Sequence, residues 1–190
     1  MKPFGLILCG GKSTRMGQDK SLLIYHGKPQ RQHLTDLLLP FCEQVFWSVN
    51  QVQFTDIERF GGSTVQLLVD KYANQGPLGG VLTAIETHQN VAWLVVSCDL
   101  PLLSASTIQC LFDGRFAGNQ ATAFADSRPY PFVSIWESAI FNNIKAYWAR
   151  GGRSPMELLQ SVNTHFLTMP NPNEFLDVND NETYQLISKT

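Results

Sequence analysis

Two glycines and two basic residues near the start of the chain form a pattern suited to binding phosphate. Gly10 and Gly11 directly follow the apolar run FGLILC at 4–9, and Arg15 and Lys20 come soon after them. Glycine lets the backbone turn sharply and lets a ligand approach the amide N–H groups, which can then bind phosphate oxygens. Arginine adds a planar fork of donors, and lysine adds a point charge. The spacing matches neither the dinucleotide-binding fingerprint nor the P-loop, so a plain turn with surface cations remains the alternative.

Three more polar side chains follow apolar runs in the same way. Asn50 ends the run VFWSVN, Asp70 ends VQLLVD, and Asp99 ends VAWLVVSCD. In doubly wound sheets, ligands bind outside the carboxyl ends of the strands. We therefore expect the glycine loop and these three side chains to share one cleft. A cap or turn role is the alternative for each of the three side chains.

The elements that must position these residues alternate between strand and helix. Predicted strands cover residues 4–9, 45–50, 65–70, 91–99, 121–125, 132–137 and 165–169. Predicted helices cover residues 30–42, 53–60, 80–88, 138–149, 154–161 and about 180–188, and the segment 101–112 is predicted to be a turn followed by a helix. Ser104, Ser154 and Asp180 are expected as helix N-caps. The order predicts an α/β fold with three α/β/α layers and a doubly wound, mostly parallel sheet, in which 121–125 pairs with 132–137.

The composition indicates one domain over residues 1–190 with no strong charge field. Apolar residues make up 44% of the 190 residues, charged residues make up 16%, and the net charge is −2. This balance argues against binding to nucleic acid or to an acidic membrane surface. No apolar run is long enough for a signal peptide or a membrane span, and the four cysteines are widely spaced. The wide cysteine spacing favours reduced thiols in the cytoplasm. Because no long exposed apolar stripe is evident, we expect a monomer.

The glycine loop resembles a specific signature when it is read as a whole. The string LCGGKSTRMGQDKSLL at 8–23 is similar to LxGGxSxRMGxDKxLL of the molybdenum cofactor guanylyltransferase family, in the nucleotide-diphospho-sugar transferase superfamily. Further family motifs follow in order, namely Asp70 before GPLGG at 76–80, CDLP at 98–101, Pro131, Gly152-Arg153 and Asp177-Val178-Asn179. Together these matches span nearly the whole chain.

The resemblance implies a Rossmann-like nucleotidyltransferase. Such an enzyme transfers GMP from GTP to molybdopterin carrying molybdenum, forms a guanine dinucleotide cofactor and releases pyrophosphate. The double glycine Gly10-Gly11 is typical of guanylyl rather than cytidylyl members. Apo-molybdoenzymes or their chaperones would then be partners. The alternatives are CTP as the donor, a sugar or polyol phosphate as the acceptor, and a nucleotide-binding accessory protein without catalytic activity.

The resemblance also assigns roles residue by residue. Asp99 would hold Mg²⁺, which prefers carboxylates together with phosphate oxygens and water. Arg15 and Lys20 would hold the β- and γ-phosphates and act with Asp99 in catalysis. Asn50 and Asp70 would face the base and the ribose. The nucleotide-binding set is Leu8, Cys9, Gly10, Gly11, Lys20, Asn50, Asp70, Gly76 and Asp99.

The acceptor side departs from the family pattern. The family motif resembling NVNTPEDL reads DVNDNETY from Asp177 onward, in a segment that lies near the acceptor in relatives. Asn179 is expected to contact the acceptor or the metal. Arg128 and Arg153 are candidates for binding the acceptor phosphate, with a solvated surface arginine as the alternative for each. The identity of the acceptor therefore stays open.

Two residues beside the glycine loop are expected to be structural. Cys9 stands where alanine is usual, and it is not expected to be a nucleophile because no histidine lies nearby in sequence to activate it. Asp19 is expected to orient the loop rather than to touch an anionic substrate.

Overall fold

The part of the chain that the structure describes contains nine strands and seven α-helices. The structure, a computed structural model, describes residues 1–10, 17–59, 63, 65–116 and 118–188. The strands are β1 Phe4–Leu8, β2 Ile24–Tyr25, β3 Lys28–Pro29, β4 Gln44–Val49, β5 Gln66–Val69, β6 Trp93–Ser97, β7 Ala121–Ala125, β8 Pro129–Trp136 and β9 Thr164–Thr168. The helices are α1 Gln30–Leu38, α2 Gln51–Arg59, α3 Pro77–Thr87, α4 Ala105–Asp113, α5 Phe141–Ala149, α6 Pro155–Ser161 and α7 Asn181–Ile187. Among these helices, none is long and apolar enough to cross a membrane.

Seven of the strands form the central sheet, in the order β5-β4-β1-β6-β8-β7-β9. Strands β5, β4, β1 and β6 are parallel to one another, and Leu8 lies in register with Ser48 and Ser97. Strand β8 is antiparallel to both β6 and β7. The carboxyl ends of the parallel strands therefore meet at one edge of the sheet, and β8 begins at that same edge. The predicted pairing of 121–125 with 132–137 is confirmed.

The sheet is buried on both faces, in keeping with central strands that are mostly apolar. One face packs on α1, α2 and α4 through a core cluster that includes Leu34, Ile57 and Ile108. The other face packs on α3, α5 and α6 through a cluster that includes Leu82, Ile144 and Leu158. The predicted three-layer, doubly wound fold is confirmed.

Side-chain N-caps mark the first residues of three helices. Ser104, Ser154 and Asp180 each accept, through the side chain, a hydrogen bond from the backbone N–H three residues further on. These are the three N-caps expected from the sequence. Each satisfies one of the N–H groups that the first turn of a helix leaves without an intrahelical partner.

Element boundaries differ from the prediction in several places; α3, for example, begins at Pro77 rather than at residue 80. The helix predicted over 30–42 ends at Leu38. Leu39 still has helical backbone angles, but Pro40 has no N–H with which to continue the helical hydrogen bonds. The strand predicted over 91–99 is confined to Trp93–Ser97, and the strand predicted over 132–137 begins three residues earlier. The short β2–β3 hairpin was not predicted. Its turn places His26 and Gly27 at positive φ, and its strands are too short to show an alternating pattern.

Candidate functional site

A cavity of about 1050 Å³ opens at the carboxyl edge of the sheet, against the start of α2 and α3. Its size suits a nucleotide-sized ligand. The structure places five residues of the predicted nucleotide-binding set in its wall, namely Leu8, Gly10, Asn50, Asp70 and Gly76. Gly10, Asn50 and Asp70 thus share one cavity, whereas Cys9, Lys20 and Asp99 of the predicted set are not among its lining residues. Gly11 and Arg15, which the sequence also singled out, lie outside the described residues.

The first residues of the glycine loop contribute to the cavity differently than expected. The N–H of Gly10 donates to the carbonyl oxygen of Ser48 at 2.9 Å, and the N–H of Cys9 donates to the same oxygen at 3.0 Å. The amide of Gly10 is therefore not free to bind a phosphate in this structure. The side chain of Cys9 is buried in the core, and burial raises the pKa of its thiol, which agrees with a structural role.

Close packing explains the glycines at the start of α3. A Cβ added to Gly80 would lie 2.6 Å from Ser48 Oγ, and one added to Gly79 would lie 3.0 Å from Tyr72 Cβ. Gly76 precedes the helix with φ of 81°, a conformation that favours glycine. The first turn of α3 can pack this closely against Ser48 and Tyr72 only because Gly79 and Gly80 carry no side chain.

Asn50 and Asp70 have local structural roles and also line the cavity. Asn50 Oδ1 accepts from the Gln53 N–H at 2.9 Å, while the Asn50 N–H donates to Gln53 Oε1 at 3.0 Å, which forms a reciprocal cap on α2. Asp70 Oδ1 accepts from the Tyr72 N–H at 2.7 Å. Hydrogen bonds among the described residues leave Asn50 Nδ2 and Asp70 Oδ2 unused. The cap and turn roles considered from the sequence therefore coexist with one donor and one acceptor available to a ligand.

A second group of polar residues lies beside the cavity. Lys20 Nζ donates to Asn179 Oδ1 at 2.5 Å, across 159 positions of sequence. Asp99 Oδ1 accepts from Ser97 Oγ, and the Asp99 carbonyl oxygen accepts from the Val178 N–H at 2.9 Å. The C-terminal segment around Val178 is thus fastened to the end of β6, and it meets the turn that carries Lys20.

Tyr130 also belongs to this group, although no sequence motif marks it as a site residue. Its hydroxyl donates to Asp177 Oδ1 at 2.5 Å. Partial desolvation of the Asp177 carboxyl, together with the nearby charge of Asp99, raises its pKa. Burial and the Asp177 hydrogen bond also raise the pKa of Tyr130, so its hydroxyl stays a donor. The signal available in the sequence was its position directly before Pro131, which a family motif had marked.

The donor atoms here are suited to a hard divalent cation. Asp99 and Asp177 supply carboxylates, and Asn179 supplies an amide oxygen, which are oxygen ligands of the type that Mg²⁺ prefers. Within the described residues, no group of three or more His, Cys, Asp or Glu side chains could hold a metal ion by itself. The set fits a cation that completes its coordination with substrate phosphates and water.

The two arginines proposed for the acceptor phosphate differ in their surroundings. The Arg153 guanidinium lies 3.8 Å from the centre of the Trp148 ring, and its Nε donates to Gln75 Oε1 at 2.7 Å. Arg153 thereby supports the loop that leads to Gly76. Arg128 is an exposed residue in the turn between β7 and β8, where its backbone N–H donates to Asp126.

Comparison with known proteins identifies the family. Residues 5–165 match the model of the MobA-like NTP transferase domain. The chain belongs to the MobA-like NTP transferase family. Within this family, it is 31% identical over 161 residues to the molybdenum cofactor guanylyltransferase of Serratia proteamaculans, covering 83% of this chain and 79% of that protein. The family and the nucleotidyltransferase class predicted from the motifs are confirmed.

Two further similarities extend the comparison. The chain is 30% identical over 190 residues to the molybdenum cofactor biosynthesis bifunctional protein of Synechocystis, covering 97% of this chain and 53% of that protein. It thus spans about half the length of that relative. The structure of molybdopterin-guanine dinucleotide biosynthesis protein A from Archaeoglobus fulgidus matches with a TM-score of 0.81 at 16% identity, covering 98% of this chain and 97% of that one. At this identity, the structural match establishes the shared fold.

Proposed function

We propose that this MobA-like protein transfers GMP from GTP to the phosphate of molybdopterin carrying molybdenum. The products are molybdopterin guanine dinucleotide and pyrophosphate. The observation that carries the proposal is the convergence of Gly10, Asn50 and Asp70 on one cavity, beside Lys20 and Asp99. The relatives that are named molybdenum cofactor guanylyltransferase supply the substrate class.

In this proposal, the cavity binds the nucleoside half of GTP. Guanine carries an N1–H and an N2 amino group as donors, and the ribose carries two hydroxyls. Asp70 Oδ2 accepts from one of these donors, and Asn50 Nδ2 donates to a base or ribose oxygen. Their local hydrogen bonds hold both side chains in place before the ligand arrives, which reduces the entropy lost on binding.

The polar group beside the cavity acts on the phosphates. An oxygen of the acceptor phosphate attacks the α-phosphorus, and the bond to the leaving pyrophosphate breaks. The Lys20 ammonium neutralises charge on the leaving group, as does Arg15 in the family pattern. Asp99, with Asn179 and Asp177 as neighbours, would hold a Mg²⁺ ion. When bound, such an ion supplies Lewis-acid charge stabilisation to the transferred phosphate.

The setting that we propose for the reaction is the cytoplasm, with the chain acting as a monomer and without nucleic acid. The product would pass to apo-molybdoenzymes or to their chaperones. The modest net charge of −2 supports the absence of a nucleic-acid partner.

The test is titration calorimetry with GTP, CTP and ATP, each with Mg²⁺, followed by an assay for pyrophosphate release with molybdopterin. We expect GTP to bind preferentially and release to require the acceptor. Asp99→Asn should abolish release, whereas Asp113→Asn, the same change on the exposed surface of α4, should not. Preference for CTP would move the chain to the cytidylyl branch. Nucleotide binding without turnover on any acceptor would favour an accessory protein.

A further inference from the structure

Gln53 lies in the first turn of α2 and makes hydrogen bonds to three separate segments. Its Nε2 donates to the Cys9 carbonyl oxygen at 3.0 Å and to Asp19 Oδ2 at 2.8 Å. Its Oε1 accepts from the Asn50 N–H at 3.0 Å. The side chain is half-buried, and its partners Asp19 and Asn50 line the nucleotide cavity.

These contacts fix the orientation of the amide. Both hydrogens of the Gln53 NH₂ group are donated to oxygen acceptors, and the amide oxygen receives a backbone donor. A flipped amide would set its oxygen against two acceptors and its NH₂ group against an N–H. Only one orientation therefore satisfies all three partners.

The three partners lie in three different loops of the chain. Cys9 follows β1, Asn50 follows β4, and Asp19 precedes Lys20 in the turn after the glycine loop. The other carboxylate oxygen of Asp19, Oδ1, accepts from the Ser21 N–H at 2.9 Å. The side chain of Asp19 thus joins Gln53 on one side to the backbone that carries Lys20 on the other.

We propose that Gln53 is a positioning residue for nucleotide binding. Its amide holds the Asp19–Lys20 turn at a fixed place beside the ends of β1 and β4, and so it sets where the Lys20 ammonium meets the phosphates. The inference rests on the proposed function for the role of Lys20. The anchoring of the turn is a property of the free protein and can be measured without a ligand.

Two substitutions separate anchoring from simple loss of packing. Gln53→Met keeps the length of the side chain but removes all three polar contacts. Gln53→Glu keeps the shape and the acceptor but places a carboxylate against Asp19 and the Cys9 carbonyl oxygen. Protonation of the introduced glutamate restores one donor, and the neighbouring Asp19 charge raises the pKa of such a group.

Gln109→Glu is the matched control. Gln109 Nε2 donates to Asp113 Oδ1 at 2.7 Å on the exposed surface of α4, so the control loses the same type of contact and adds the same charge. Neither Gln109 nor Asp113 lines the cavity.

The first measurement is hydrogen exchange in the free protein, read from peptides that cover residues 18–23. We expect Gln53→Met and Gln53→Glu to speed exchange of the Ser21 amide by at least about tenfold, because Asp19 loses its anchor. Gln109→Glu should leave these peptides unchanged. Exchange at wild-type rates in Gln53→Met would overturn the proposal, even if Gln53→Glu did not fold.

The second measurement is GTP affinity at about pH 8 and about pH 5.5, taken as the ratio of each variant to the wild type. We expect both variants to bind about 10-fold to 100-fold more weakly at the higher pH. At the lower pH, the ratio should move back toward one for Gln53→Glu and stay constant for Gln53→Met. A ratio independent of pH for Gln53→Glu would overturn anchoring through Asp19. A wild type that binds no nucleotide would refute the proposed function, while hydrogen exchange would still decide whether Gln53 anchors the turn.

Discussion

Substitutions at Asn50 can distinguish a structural role of this side chain from a role in nucleotide binding. Its Oδ1 caps α2 through the Gln53 N–H at 2.9 Å, whereas its Nδ2 makes no hydrogen bond among the described residues and is available to a ligand. Asn50→Asp keeps an acceptor for the cap and removes the donor. Because aspartate and asparagine cap helices about equally well, we expect the free energy of unfolding to change by less than about 0.5 kcal/mol.

Nucleotide binding should respond much more strongly to Asn50→Asp. One lost hydrogen bond is worth about 1 kcal/mol, and a carboxylate facing an anionic ligand adds a repulsion of about the same size. Together these effects predict GTP binding about 30-fold weaker than in the wild type. Calorimetric titration measures the affinity, and urea unfolding of the same samples measures the stability.

Two further variants complete the comparison. Asn50→Ala loses both the cap and the donor, so it should lower stability by about 1 kcal/mol, equivalent to about 2–4 °C in Tm, and also weaken binding. Ser104→Ala loses a comparable cap on α4 outside the cavity wall, so it should lower stability similarly and leave GTP affinity unchanged. Wild-type affinity in Asn50→Asp would show that Asn50 is only a helix cap and would refute the reasoning.

Two other predictions concern stability. Gly80→Ala places a Cβ 2.6 Å from Ser48 Oγ, so it should lower the free energy of unfolding, measured in urea, by about 1–3 kcal/mol. Adding Ser48→Ala removes the hydroxyl and should recover most of the lost stability. If the effects of the two substitutions simply add, the packing argument is contradicted. Because the pKa of Asp177 is raised in the folded state, ionisation of this carboxyl destabilises the fold. This destabilisation is absent at low pH and develops as the pH rises through the folded-state pKa. Asp177→Asn should therefore raise stability at neutral pH, and the gain should fade toward acid pH. Asp126→Asn should do the opposite, since hydrogen bonds from Arg128 and Ser127 lower the pKa of Asp126; equal signs for the two variants would refute the assignment.

Much of the fold could be predicted because its signals are local. The apolar runs of β1 and β6 are buried except at Phe4 and Ser97, and three N-caps lie where serine or aspartate precedes a helix. Sequence also places Gly10, Asn50 and Asp70 after strands, and parallel pairing then brings them to one edge. The β2–β3 hairpin was missed because its two-residue strands are too short for periodicity to show.

The contacts between distant residues could not be predicted in this way. Gln53 reaches Asp19 across 34 positions, and Tyr130 reaches Asp177 across 47. Neither pair follows a spacing rule, because each depends on the order of strands in the sheet and on where the connecting loops return.

The sequence by itself determined the family, the alternation of strands and helices, and the polar residues at the strand ends. These properties depend on residue type and on spacings of a few positions, because residues close in sequence determine the local backbone conformation. Only the tertiary structure decided that Asn50 both caps α2 and faces the cavity, that Gly10 has its amide engaged, and that Gln53 anchors the turn before Lys20. The physical reason is that a hydrogen bond needs its two atoms within about 3 Å of each other, and for residues in different elements only the packing of the sheet brings them so close.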